Sequence, residues 1–472
     1  MDLKKNHKLF NLYIFILLLP LLIFASQAFA SPGDIHTYAG LGKAGFSGDG
    51  GQATAAFLKS PSSVASDAAG NLYISDRANQ RIRKIDATGK ISTIAGNGLA
   101  GYSGDGGSAV LARLNNPSGI AVDSAGDVLF ADMGNSRIRK ISASGTITTV
   151  AGTGAAHFSG DGGPAAGAAI NHAEGVAVDS KGNIYISDTG NNRIRMISTA
   201  GVIKTVAGTG AAGFSGDGGP AISAKLNRPA GIALDATGKL YIADCYNHSV
   251  RVIDLNGGIT TLAGDGKAGF SGDGGPAASA SLKFPSGVSV SAAGDVYIAD
   301  WHNQRVRVVD ASGTITTLAG TGVRGFYGDG AASGDAVLSF PFGLTADSSG
   351  NIFIADSKNN RIRMVEGPSY PLPVSTITSP VCYGTAFSGD SGLTVTGTAS
   401  AAGGVSFVEV STDGGTTWGT ASGTTAWSFG WTPAKKGAYM IMSRATDSSG
   451  AHETIISCAY VNAILNSAVP VS

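Results

Sequence analysis

The sequence predicts an all-β protein: a six-bladed β-propeller closed by its own N-terminal strand, followed by an immunoglobulin-like β-sandwich. Three observations carry this reading. Every landmark between Asp34 and Arg363 recurs after 56 residues, six times, with no insertion breaking the register, as in a ring or stack of equivalent units. Each period holds four short β-branched segments bounded by Gly, Asn or Asp, the signature of strands joined by tight turns. The repeats begin on a lone copy of the fourth segment and end after a third.

The N-terminus comes first. Lys4, Lys5 and Lys8 precede an apolar run from Leu12 to Phe24, and Ala28-Phe29-Ala30 follows with small residues at the cleavage positions. Residues 1–30 are expected to be a secretory signal peptide rather than a membrane anchor, because the run is short and ends on a cleavage site. The product is thus expected to be exported, to the periplasm or the cell exterior. Cleavage removes one Asp and three Lys and moves the formal charge from 0 to −2, which argues against nucleic acid or anionic lipid as partners. The 70 Gly fit a chain of many short strands.

Residues 31–367 are expected to form the propeller. In the third repeat the strands are Gly175–Asp179, Asn183–Asp188, Arg193–Ile197 and Val202–Ala207, the first turning into the second through Asp179-Ser-Lys-Gly182. Apolar residues stand on both faces, as in a sheet packed between neighbours. The fourth strand of the last blade is missing from its own repeat, so Asp34–Gly40 is expected to complete it and remove the open edge.

The segments Pro117-Ser-Gly-Ile-Ala-Val-Asp123, Val128-Leu-Phe-Ala-Asp132 and Asn135-Ser-Arg-Ile-Arg139 resemble the NHL-repeat family. The resemblance covers residues 34–366, and the added Gly-Phe-Ser-Gly-Asp-Gly-Gly loop is similar to that of secreted bacterial NHL proteins and teneurin-type ectodomains. It implies a six-bladed NHL-type propeller that binds a partner, without naming one.

Residues copied six times read as structure. Asp76, Asn79 and Arg83, with their equivalents through Asp356, Asn359 and Arg363, are expected to cap a turn and bridge it by a guanidinium. The Asp of each Ser-Gly-Asp-Gly-Gly loop supplies too few oxygens for calcium, which takes about six to eight. A helix cap is expected instead, with Pro164, Pro220 and Pro276 at the first helical position and Ala221, Ala224 and Leu226 packing one turn onto the ring.

Residues 368–374 read as a Pro-rich linker and 375–472 as the sandwich, on alternating strands such as Val405–Ser411 and Tyr439–Ala445. The run Val408–Trp418, with Trp427–Trp431 and Arg444–Asp447, resembles the immunoglobulin-like dimerisation domains attached to molybdopterin oxidoreductases and related bacterial Ig-like modules, and Ser411–Trp418 matches a single Asp-box. Cys382 and Cys458 are expected to pair as a disulfide in an oxidising compartment, leaving Cys245 over.

Function is sought where single repeats depart from the pattern on the face shared by the Gly-rich loops and the turns after the second strands. The departures are His157, His172 and Glu174 in the third repeat, Tyr246 and His248 in the fourth, and Trp301 and His302 in the fifth. Rings with polar tips suit recognition of sugars or peptides. His172, Glu174, Tyr246, His248, Trp301 and His302 are thus the expected binding residues of a secreted binding or adhesion protein, its partner a protein or glycan. The Ig-like module would act as spacer or second contact. No Ser-His-Asp triad or carboxylate pair is visible, and no catalytic residue, cofactor or metal site is assigned. The alternative is a metal-dependent enzyme resembling six-bladed lyases or lactonases, but His172, His248 and His302 sit at unequal offsets.

Overall fold

The computed structural model describes residues 33–367, then 374–379, 385–388, 393–400, 405–413, 416–432, 437–447 and 457–464. The expected signal peptide, linker residues 368–373 and Cys382 lie outside the described residues, as does the side chain of Cys458. The regular elements of the described residues are short strands and single 3₁₀ turns, joined by tight turns and long Gly-rich loops.

Up to Val365 the strands form six antiparallel sheets repeated like propeller blades. The third runs in chain order, Val176–Val178, Ile184–Asp188, Arg193–Ile197 and Ile203–Ala207, with Ile186 opposite Arg195 and Arg195 opposite Thr205. In the sixth, Asp34–Ala39 takes the place of the fourth strand, Ile35 opposite Val365 and Thr37 opposite Arg363. The innermost strands touch in an unbroken cycle in which Ser63–Ser66 meets both Pro117–Val122 and Pro341–Ala346.

The core sits in the seams between sheets. Ile194 and Ala207 of the third sheet pack with Leu226, Ile232 and Ile242 of the fourth. Between the fifth and sixth sheets Ile35 joins Ala299, Val306, Leu344 and Val365, and at the closing seam Ala39 and Phe353 of the sixth pack with Leu58, Val64 and Ile74 of the first. Each sheet has apolar residues on both faces, so it buries them only between two neighbours.

Two expectations about the Gly-rich loops are corrected. Pro220 stands at the N-cap of the 3₁₀ turn Ala221–Ser223 instead of opening it, although Ala221, Ala224 and Leu226 are buried as expected. The loop aspartates cap nothing. Asp161 accepts from the Arg195 guanidinium at 2.6 Å and from Thr205 Oγ1 at 2.6 Å, tying the loop to the third and fourth strands of its own sheet. The loop glycines permit this approach: Gly160, at φ +88, would press a Cβ to 2.6 Å from Ala168 Cα.

From residue 374 onward, Val374–Ser379, Leu393–Ser400 and Ala426–Trp431 form one sheet, and a second contains Val405–Ser411, Gly437–Asp447 and Ser457–Ile464. Val395 and Trp427 of the first share a buried cluster with Val408, Val410 and Ile441 of the second. In the single Asp-box, the Asp413 carboxylate accepts from the Thr416 and Thr417 amides, a turn-holding role.

Candidate binding site

The shared face is fixed by a buried polar lattice. Arg139, fully buried, pairs with loop Asp105 at 2.7 Å and with Asp132 at 3.2 Å; Arg83 repeats this with Asp49 and Asp76. Burial pushes Asp76 up to about 6 against the pull of Asn79, the Lys59 amide and Arg83. Asn135 donates to Asp132 at 2.8 Å and to the Gly101 carbonyl at 2.7 Å. Each turn after a second strand is thereby pinned to the Gly-rich loop, and both build one surface. The expected structural role of these residues is seen, except that Asp and Asn bond each other and the loop rather than capping the 3₁₀ turn.

On this scaffold the departures gather in the fourth to sixth repeats. Tyr246 meets Phe284 edge-on at 5.1 Å, Phe284 meets His302 at 4.9 Å, and His302 meets Trp301 at 4.4 Å. Trp301 continues to Phe340 and Phe342 at 5.8 and 5.6 Å. Arg228 stands over Tyr246 at 5.3 Å and Arg324 over Phe340 at 4.3 Å. Phe284 and Phe340 have φ of +53 and +54, a conformation a bulky side chain adopts only when its surroundings impose it. The imposing contact is visible: Gln304 Oε1 accepts from the Phe340 amide at 2.7 Å, and His248 Nδ1 from the Phe284 amide at 3.2 Å.

The rings border the mouth of a central passage. One position per repeat, Ser62, Ser118, Glu174, Ala230, Ser286 and Phe342, faces this axis, and the two outliers, Glu174 and Phe342, lie three repeats apart. A cavity of about 440 Å³ at the mouth is lined by Glu174, Arg77, Arg228, Tyr246, Trp301, Phe340 and Phe342. Glu174 also lines a smaller cavity of about 210 Å³ between the inner strands. Burial raises the Glu174 carboxyl above the usual range, while Arg77 and Arg228 pull it down. A ligand here meets aromatic faces on one side and a carboxyl with two guanidinium groups on the other.

The sequence relationships agree with this architecture. The teneurin NHL domain matches residues 100–159, 154–215, 211–271 and 267–325, and the NHL repeat matches 338–363. This is an NHL-repeat protein. A bacterial Ig domain matches 373–452 of the same NHL chain. Among its relatives, the Arabidopsis thaliana protein SUPPRESSOR OF QUENCHING 1, chloroplastic, is 32% identical over 66% of this chain and 30% of that one. Mouse teneurin-4 is 34% identical over 44% of this chain and 8% of its own length. The NHL chain therefore spans less than a third of either relative. An auxiliary nutrient binding protein from Bacteroides ovatus has a similar fold, with a TM-score of 0.51 and 17% identity over 70% of this chain and 75% of that one.

The expected site residues of the NHL chain fare differently. Glu174, Tyr246 and Trp301 line one cavity. Tyr246 and Trp301 do not touch directly; Phe284 and His302 bridge them. His248 packs on Phe284 at 4.5 Å, spends Nδ1 on the backbone, and is lowered in pKa by burial and by Lys283. His172 is exposed, bonded to Asn171 Oδ1, and outside the cavity wall. No group of three or more His, Cys, Asp or Glu among the described residues could hold a metal. Cys245 is a buried free thiol, raised in pKa by burial and by the nearby Glu174 and Asp244. Phe284, Phe340, Phe342, Arg77 and Arg228 were missed. The signal for them was the repeat column itself, where Phe340 and Phe284 stand level with Ser60 and Asn116.

Proposed function

We propose that this chain is an exported binding or adhesion protein, periplasmic or extracellular, whose loop face holds a protein or glycan. In this reading residues 1–30 are removed, 31–367 form a six-bladed NHL propeller closed by the N-terminal strand, 368–374 are a linker, and 375–472 fold as an Ig-like sandwich that acts as spacer or second contact. The carrying observation is that the departures from a strict repeat converge on one mouth, where Tyr246, Trp301, Phe340 and Phe342 face Glu174, Arg77 and Arg228. Aromatic planes stack on the apolar faces of sugars and peptides, while charged groups bond hydroxyls or amides at the rim. Tyr246 and Trp301 are the anchors, Glu174 and His302 polar contacts, and His248 a support for Phe284. His172 belongs to the outer rim.

The test is a screen of the secreted chain against arrayed glycans and surface proteins, repeated with the Tyr246→Ala, Trp301→Ala double variant. Binding that the double variant abolishes supports the site. Binding that it leaves intact places the partner elsewhere.

A further inference from the structure

In five of the six repeats the third strand opens on an arginine: Arg81, Arg137, Arg193, Arg305 and Arg361. Each does the same three things. Its guanidinium lies 3.6–3.8 Å from the ring centroid of Phe46, Tyr102, Phe158, Phe270 or Phe326. It donates to two carbonyls, as Arg193 does to Asn191 at 3.1 Å and Thr209 at 2.7 Å. It also fills the space over a loop glycine, so that a Cβ at Gly42, Gly98, Gly154, Gly210 or Gly322 would collide with it.

The fourth repeat has Ser249 instead. At Gly266, the equivalent glycine, nothing lies within 4 Å of a Cβ. Phe214, the equivalent ring, is 50% exposed, against 40% for Phe46 and 41% for Phe270. The carbonyls of Asn247 and Asp265 hold the places that receive the two guanidinium bonds elsewhere. Ser249 Oγ is buried without a hydrogen-bond partner. A second departure accompanies the first: Asp265 stands where the other repeats have Leu41, Asn97, Thr153, Thr209 and Thr321. Its carboxylate accepts from the Lys267 amide at 2.9 Å and from Ser281 Oγ at 3.3 Å. The Lys267 ammonium, 84% exposed, stands 3.8 Å away, an exposed pairing worth little. At one slot the fourth repeat has lost a cation and gained an anion.

We propose that this slot receives the guanidinium of an arginine side chain presented by a partner protein. The proposal rests on the loop-face binding reading and lies one turn from Tyr246. The five internal arginines are the template: the planar cation stacks on Phe214, two N–H groups reach the Asn247 and Asp265 carbonyls, and the Asp265 carboxylate supplies the charge. A lysine ammonium has neither the plane nor the fork. Free arginine would carry its own carboxylate toward Asp265, so a backbone-blocked arginine fits better.

The experiment titrates the full chain with N-acetyl-arginine N-methylamide, with the lysine counterpart and free arginine as separate arms. The blocked arginine is expected to bind about tenfold more tightly than the blocked lysine. Ser249→Arg, which restores the residue of the other five repeats, should abolish that binding and raise the unfolding midpoint. Asp265→Thr, the residue of three other repeats, should keep the fold and weaken binding severalfold. Trp301→Ala should leave it unchanged, which separates failure here from failure of the aromatic mouth. The proposal is overturned by absence of saturable binding, by equal binding of the lysine probe, by undiminished binding in Ser249→Arg, or by a lower midpoint in that variant. Tighter binding of free arginine than of its blocked form overturns the partner-protein assignment in favour of a metabolite.

Discussion

Replacing Ile35 by Ala measures whether the N-terminal strand is an integral part of the last sheet. Ile35 is fully buried, as are Ile91, Ile147, Ile203, Ile259 and Ile315 at the same repeat position. It packs among Ala299, Val306, Leu344 and Val365, and its carbonyl accepts from the Gly330 amide at 2.8 Å. Truncating such a side chain removes its transfer energy and leaves a cavity, at a cost of about 2–5 kcal/mol. If the strand closes the ring, Ile35→Ala should cost the same as Ile203→Ala, an interior reference on an unbroken repeat. Urea unfolding of both variants, compared by midpoint at constant slope, reads the difference. Deleting residues 31–40 goes further. It removes Ile35, buried Ala39, the Tyr38 contact with Phe353 at 4.8 Å and the bonds of Gly33 and Asp34 to Glu366. That loss is on the order of 8 kcal/mol, comparable with the whole stability of a domain. An Ile35→Ala cost below about 0.5 kcal/mol beside a full cost at Ile203 would refute closure, since core truncations do not come so cheaply.

Other outcomes are expected. Arg139→Met strands the buried Asp132 carboxylate and should cost about 3–5 kcal/mol, with Asp132→Asn recovering part of it in the double variant, as read by thermal unfolding. Burial pushes Asp76, Asp244, Asp300 and Asp356 up to about 6 from an unfolded 3.8, so around pH 5 the native chain binds the extra protons. Their stabilisation is full below the unfolded value and is lost as pH rises through 6; His248 and His302, lowered by burial, act in the opposite sense. Unfolding midpoints should be higher near pH 4.5 than near pH 7, and the reverse order would mean that ion pairing with arginine outweighs burial. Trp301→Ala should weaken binding of an identified partner by roughly 2 kcal/mol with little change in unfolding, measured by calorimetry. Mass spectrometry of non-reduced peptides should show Cys382 linked to Cys458 and Cys245 free; the closed loop would add about 4 kcal/mol to the small domain.

Much of the architecture was legible because the 56-residue period is unbroken. Strand positions, the place of Asp34–Ala39 and the bridging arginines all follow from aligning the repeats. The loop aspartates were misread because Asp161 and Arg195 are 34 residues apart, beyond the local spacings from which caps are inferred, and join only when the third strand folds back beside the loop. Tyr246 and Trp301 announced themselves as large rings in exposed turns. Phe284, Phe340 and Phe342 did not, since beside Pro285 and Pro341 they look like the start of an apolar strand. Their positive φ turns Phe284 and Phe340 outward from that expectation, and each backbone amide donates a hydrogen bond to a side chain of the preceding repeat, which no single repeat contains.

The last sheet is assembled from the two ends of the repeat region, with hydrogen bonds spanning 292 and 320 residues. Sheets one to five mature from neighbours in the chain, but the sixth waits until Arg361–Val365 has been made and has found Asp34–Ala39. Forming contacts that distant is slow, because the intervening chain must be ordered first. Until then a free edge and an unattached strand coexist in every molecule. In a crowded population the strand of one chain can complete the sheet of another, giving a domain-swapped dimer from identical contacts. Dilution during refolding therefore favours the closed monomer, and the ratio of the two products reports how fast the ends meet.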